Sequence, residues 1–184
     1  DEGVHADRGQ IIGDGQPQDP DKNDVPFLMV KPQAHRQPEE DKHHRGKRRG
    51  DFAMQLHRDG QRINTVRADG LIVSTPSGST AYALAAGGPI LEPTLSAMVI
   101  APICPHSLTQ RPVVIPDTRE VQIRLVDRPG HVLLTLDGQE VLEMKESDIV
   151  TVRRFEKHPL RLISSPLRDY FTVLREKLNF GSRG

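Results

Sequence analysis

The apolar positions of this chain fall into two regimes that meet near residue 50. Before that point no stretch sustains a period of 2 or of 3.6, and the one solid apolar cluster is "VPFLMV" at residues 25–30. Beyond it the pattern sharpens. "DFAMQLHRDGQRINTVRADG" alternates apolar and polar residues on both sides of Asp59-Gly60, which predicts a hairpin. "LIVSTP" reads as a buried strand stopped by Pro76, and "TAYALAAG" as a short helix with a Ser/Thr cap before it and Gly87, Gly88 and Pro89 ending it. "AMVIAPIC", "PVVIP", "EVQIRLVD", "HVLLTLDG", "IVTVRRF" and "LRLISS" follow, short, β-branched and separated by Pro, Gly or Asp. That spacing predicts a mainly β, sandwich-like fold rather than alternating βαβ units. The last pattern, "SPLRDYFTVLREKLNFG", sets Leu167, Tyr170, Phe171, Leu174 and Leu178 on one face of a terminal helix, opened by Ser165-Pro166 and closed by Gly181.

Composition explains the contrast between the halves. The 184 residues suit one domain with or without a tail, and the low averages of 35% apolar and 4% aromatic conceal an uneven distribution. Residues 1–51 are rich in Asp, Gln, His, Pro, Arg and Gly and bury too little apolar surface to offset the entropy of ordering. They are expected to form a low-complexity segment, disordered or non-native, with the folded domain at residues 52–184.

Charge and cysteine usage narrow the function classes. Basic and acidic residues number 25 each, for a formal net charge of 0, which gives no global reason to expect a nucleic-acid partner. The single cysteine, Cys104, cannot form an intrachain disulfide, and no stretch is apolar enough to span a bilayer or act as a signal peptide. A soluble cytoplasmic protein without membrane contact is the expectation. In "HRQPEEDKHHRGKRRG" the basic run at residues 45–49 suits phosphates, and Asp41, His43 and His44 could hold a metal loosely. Acidic neighbours and the absence of stacking aromatics favour a solvated tail.

Candidate chemistry concentrates in "STPSGSTAY", residues 74–82, where six of nine side chains carry a hydroxyl. Small hydroxyls and outward amides at a strand-to-helix junction suit a nucleotide or another phosphate-bearing ligand. An ordinary capped turn has the same composition, so the turn alone leaves both readings open.

A longer match decides between them. "RADGLIVSTPSGSTAYALAAGGPIL", residues 67–91, closely resembles the signature segment of the NAD kinases, which phosphorylate the 2′-hydroxyl of the adenosine ribose of NAD to give NADP. The likeness continues through "PICPHSLTQRPVVIP" and "LDGQ" into "FTVLREKLNFG", from near Phe52 to the end. It implies the β-rich C-terminal domain of such an enzyme, with ATP or polyphosphate as donor and a divalent metal, magnesium, in the complete protein. It further implies a homo-oligomer formed through this domain, with NAD sites completed by a neighbouring subunit. Among site residues, the resemblance implies that Asp69 accepts hydrogen bonds from NAD, with Arg67 beside it. Ser77 and Thr80 would face the adenine, the backbone near Ala81 the base, and Tyr82 would lie along the ligand. Ala83 and Leu84 belong to the same binding stretch, Ala85 stands where the family often has Ser, and Gln139 matches a contact position. His106, beside a proline, is read as structural.

The same resemblance identifies what is not evident here. The family's catalytic "GGDGT" loop and Asn-acidic pair lie upstream of the matched region. "IIGDGQ", residues 11–16, lacks the first Gly and the final Thr, and Asp14 stands too close to Asp69 in sequence. "NDVPFLMVKP", residues 23–32, runs into His- and Arg-rich sequence where the family continues with strand. The catalytic base is therefore unassigned, with Asp14 an unfavoured candidate, and no residue is assigned to metal. A C-terminal fragment inactive on its own is expected; the alternative is a non-catalytic NAD-binding or oligomerisation module.

Overall fold

The computed structural model describes residues 10–12, 27–32, 52–126, 132–145, 147–154, 163 and 168–179. The chain divides into two units, Asp1–Arg154 and Phe155–Gly184. In the first unit the elements run β1 (Gln10–Ile12), β2 (Phe27–Pro32), β3 (Phe52–Arg58), β4 (Gln61–Ala68), β5 (Gly70–Ser74), a 3-10 turn (Ser77–Thr80) and α1 (Tyr82–Ala85). They continue with β6 (Ala97–Ile103), β7 (Val113–Pro116), β8 (Val121–Leu125), β9 (Val132–Leu136), β10 (Glu140–Met144) and β11 (Ile149–Val152).

Two sheets result, and the sandwich expectation holds. One has five strands in the order β1-β11-β8-β3-β4, and the other six in the order β10-β9-β2-β5-β6-β7. All pairings are antiparallel apart from β1 with β11. Met54, Leu56, Val66, Ile123 and Val150 of the first sheet pack with Leu71, Val73, Ile100 and Leu134 of the second, forming the main core. The other face of the six-stranded sheet carries a smaller cluster, in which Ile72, Val99 and Ala101 meet Ala83 and Leu91. Strand β5 is thus covered on both faces, which is why it reads as an unbroken apolar run.

Local chemistry accounts for the hairpins. Asp59 and Gly60 both take positive φ, 48° and 80°, as a two-residue type I′ connection requires. The Asp59 carboxylate accepts from the Glu120 N–H and from Arg119, each at 3.2 Å, tying this turn to the start of β8. Asp137 and Gly138 repeat the positive-φ pair, at 47° and 72°, between β9 and β10.

Two differences from expectation have physical causes. Gln10–Ile12 and Phe27–Pro32 are strands within the segment expected to be largely disordered, and β2 lies between β9 and β5. "VPFLMV" was that segment's one apolar cluster, and pairing with distant strands is invisible to a local reading. Helix α1 is also shorter than expected, and its N-cap Ala81 makes no side-chain bond, because residues 77–80 wind as a 3-10 turn first. "LRLISS" lies almost wholly outside the described residues.

The second unit contains α2 (Tyr170–Leu178). Its cap is Asp169 rather than Ser165-Pro166, and it ends at Asn179, which adopts the left-handed conformation at φ 50°. The Asp169 carboxylate accepts from the Thr172 hydroxyl at 2.7 Å and from the Thr172 N–H at 2.9 Å. Those bonds, the hydroxyl first, hold its pKa below the ordinary aspartate value. A carboxyl group depressed in the folded state stabilises above its unfolded pKa, and that contribution is lost as pH falls through the folded value. The cap should therefore be intact above about pH 4 and weaken below it. Asp169→Asn, which caps without titrating, should remove this acid-dependent part of the helical circular dichroism; an unchanged acid profile would contradict the assignment.

Candidate functional site

The turn after β5 sorts its hydroxyls by depth. Ser79 is fully buried; its Oγ donates to the Pro76 carbonyl and accepts from the Leu91 N–H at 2.9 Å, locking the turn to the segment that follows α1. Ser77 and Thr80 stay at the half-buried rim, with Thr80 Oγ1 donating to the Ser77 carbonyl at 3.2 Å. Next, α1 buries Ala83 against Ile72 and Val99, half-buries Leu84, and leaves Ala81, Tyr82 and Ala85 exposed. Tyr82 is 60% exposed, although Ala83 beside it is packed down.

Backbone amides of this turn are largely engaged. The Gly78 N–H donates to Thr75 Oγ1 at 3.2 Å, the Ser79 N–H to Pro76 O at 3.1 Å and the Ala81 N–H to Gly78 O at 3.0 Å. The sequence suggested an amide cradle for phosphate; these bonds leave those three amides no such role. What the turn presents outward is a rim of hydroxyls, small methyl groups and one aromatic face. That surface suits a base and ribose better than a phosphate.

Gly88 holds the far side of α1. Its N–H donates to the Ala83 carbonyl at 2.8 Å, and a Cβ at this position would stand 2.7 Å from that same oxygen. The clash is with backbone, so Gly88→Ala should destabilise by about 1–3 kcal/mol, measured by urea denaturation. Stability equal to that of the parent would mean that α1 is free to shift.

Sheet register places the other expected residues. Ser74 pairs with Phe27, and Leu28 pairs with Leu136, so the hairpin at residues 137–139 lies at the same end of the sheet as the hydroxyl turn. Gln139, two strands away from β5, is exposed there and donates its N–H to the Leu136 carbonyl at 3.0 Å. Asp69 is at the opposite end. It is the single residue joining β4 in one sheet to β5 in the other, and its N–H donates to the Ile103 carbonyl at 2.9 Å. The length of β5, at about 3.3 Å per residue, puts roughly 13 Å or more between the two groups. Ser77, Thr80, Ala81, Tyr82, Ala85 and Gln139 thus form one group, and Arg67 with Asp69 another.

His106, which sequence reasoning read as structural, joins the second group. Its Nε2 lies 3.3 Å from Asp69 Oδ1, and its backbone N–H donates to the Arg67 carbonyl at 3.0 Å. The only advance signal was its place in "CPHSLTQRP", a stretch too rich in turn residues to be strand. Asp14, Asp41, His43 and His44 lie outside the described residues. Among the described residues no group of three or more His, Cys, Asp or Glu could hold a metal ion, and no helix is long and apolar enough to cross a membrane. Asp69 with His106 offers only two donors, so a magnesium site does not fit what is described.

Comparison with known proteins supports the motif match. The family model of the ATP-NAD kinase C-terminal domain matches residues 40–164. The chain is 53% identical over 125 residues to the NAD kinase of Geobacter metallireducens, covering 68% of this chain and 44% of the relative. With the NAD kinase of Geobacter sulfurreducens the identity is 49% over 130 residues, covering 71% and 45%. Among solved structures, yeast NADH kinase complexed with NADH superposes with a TM-score of 0.57 at 26% identity, covering 87% of this chain and 42% of that one. An NAD kinase from Archaeoglobus fulgidus in complex with ATP gives 0.53 at 26% identity, covering 70% and 45%. The chain thus spans a little under half the length of these relatives.

Proposed function

Because the chain belongs to the NAD kinase family, whose C-terminal domain it carries, we propose that it binds NAD as the β-rich part of a cytoplasmic enzyme that phosphorylates the adenosine ribose. The donor is ATP or polyphosphate, and the product is NADP. Ser77, Thr80 and the exposed Ala81, Tyr82 and Ala85 receive the adenosine portion, while Ala83 and Leu84 shape the floor behind them. Gln139 reaches the same end of the sheet. Asp69 and Arg67 serve the ligand from the opposite end of β5.

One observation carries this reading: the two groups lie at opposite ends of a single strand, β5. Either group alone is a partial site, and a homo-oligomer in which Asp69 of one copy meets the hydroxyl turn of the next completes it. Phosphoryl transfer depends on positioning and charge neutralisation around the donor, and no described residue supplies a base or a phosphate loop. The 184-residue chain is therefore expected to bind NAD weakly and to turn over little or none.

Calorimetric titration with NAD, paired with an assay for NADP in the presence of ATP and magnesium, tests both parts. Saturable heat with little or no NADP is the expected result. A heat-silent titration would contradict the NAD site, and sustained NADP synthesis would contradict the inactive fragment and direct attention to Asp14.

A further inference from the structure

We propose that His106 is a positioning residue for Asp69, holding its carboxylate in the orientation that meets NAD; the inference rests on the assignment of Asp69 to the NAD site. Asp69 occupies a one-residue corner between two sheets, and its backbone is fixed by the bond to Ile103. Nothing in that bond fixes the side chain, which is about half exposed at 49%. Among the described residues, the hydrogen-bond partner of its carboxylate is His106 Nε2, 3.3 Å from Oδ1. A carboxylate only accepts, so the ring presents Nε2–H to it. Oδ2 is left to accept from the ligand.

The imidazole can do this because the loop that carries it is itself fastened. Between β6 and β7 the chain lies along β4 and bonds to it at several places. The His106 N–H donates to the Arg67 carbonyl, Gln110 Nε2 donates to the Thr65 carbonyl at 3.3 Å, and Asn64 Nδ2 donates to Gln110 Oε1 at 2.9 Å. Arg111 closes the loop on itself through the Leu108 and Gln110 carbonyls. The attachments on β4 and its corner therefore fall at residues 64, 65, 67 and 69, so the ring is delivered by an anchored backbone. An acid side chain held in one rotamer gives up less freedom on binding than a loose one, an effect worth about three- to tenfold in affinity.

NAD titration of four variants of the full chain, His106→Ala, His106→Gln, Asp69→Ala and the double alanine, tests the proposal. His106→Ala should weaken NAD binding about three- to tenfold, His106→Gln should recover most of the loss because its amide can donate to the same oxygen, and the double variant should bind no worse than Asp69→Ala. That last equality separates positioning from general loosening of the loop, which would weaken binding further in either background. Wild-type affinity in His106→Ala, with Asp69→Ala impaired, overturns the role of His106 alone, as does full additivity in the double variant. Unchanged affinity in Asp69→Ala overturns the site assignment and the proposal together. If His106→Ala fails to fold, poor binding by a folded His106→Gln overturns the proposal by itself.

Discussion

Replacing Tyr82 with alanine is expected to lower the affinity for NAD by about tenfold or more while leaving the melting temperature nearly unchanged. The ring is 60% exposed at the start of α1, so little packing is lost when it is removed. Aromatic stacking on a base is worth roughly 1–3 kcal/mol, which covers that range of affinity. Exposed substitutions away from special features shift stability by about 0.5 kcal/mol at most. Calorimetry and thermal denaturation of one preparation check both halves of the expectation. Undiminished NAD binding would remove Tyr82 from the site, and a large fall in melting temperature would give the ring a packing role.

Ile72→Ala should have the opposite profile. Ile72 is 1% exposed on the face of β5 that supports α1, packed with Ala83, Leu91, Val99 and Ala101. Truncating a buried isoleucine typically costs 2–5 kcal/mol, a large fraction of the 5–15 kcal/mol that holds an ordinary domain together. Urea denaturation should therefore show a clear drop in midpoint, with NAD binding weakened because the helix loses its floor. An unfolding free energy within about 0.5 kcal/mol of the parent's would mean that this second cluster contributes little to the fold.

Much of the fold was legible because its signals are local. Asp59-Gly60 and the Asp137-Gly138 pair in "LDGQ" mark turns whose positive φ these residue types accept, and the unbroken "LIV" run anticipates a strand covered on both faces. Strand β2 was not legible, since "FLMVKP" gains its place only by pairing with residues 71–74 and 132–136 far along the chain. The cap of α2 was misplaced because Ser165-Pro166 and Asp169 are both plausible openers, and only the Thr172 bonds decide between them.

The candidate site divided in the same way. Residue types at 77, 80 and 82 suggested a ligand-facing turn, but no local pattern says that Ser79 sinks while Ser77 and Thr80 stay at the rim. Nor does sequence show that "RADG" turns a corner between sheets, or that His106 lies against Asp69 from 37 positions away. Both facts follow from sheet crossing, which is a property of the whole sandwich.

The first measurement to make is a complementation titration. Asp69→Ala chains and Tyr82→Ala chains would be prepared separately, unfolded together, refolded as a mixture and titrated with NAD. If one NAD is held by the hydroxyl turn of one copy and Asp69 of another, mixed oligomers regain a fraction of sites with wild-type affinity although each parent binds weakly. A mixture that binds only as the average of its two weak parents would contradict the shared site and return both groups to a single chain.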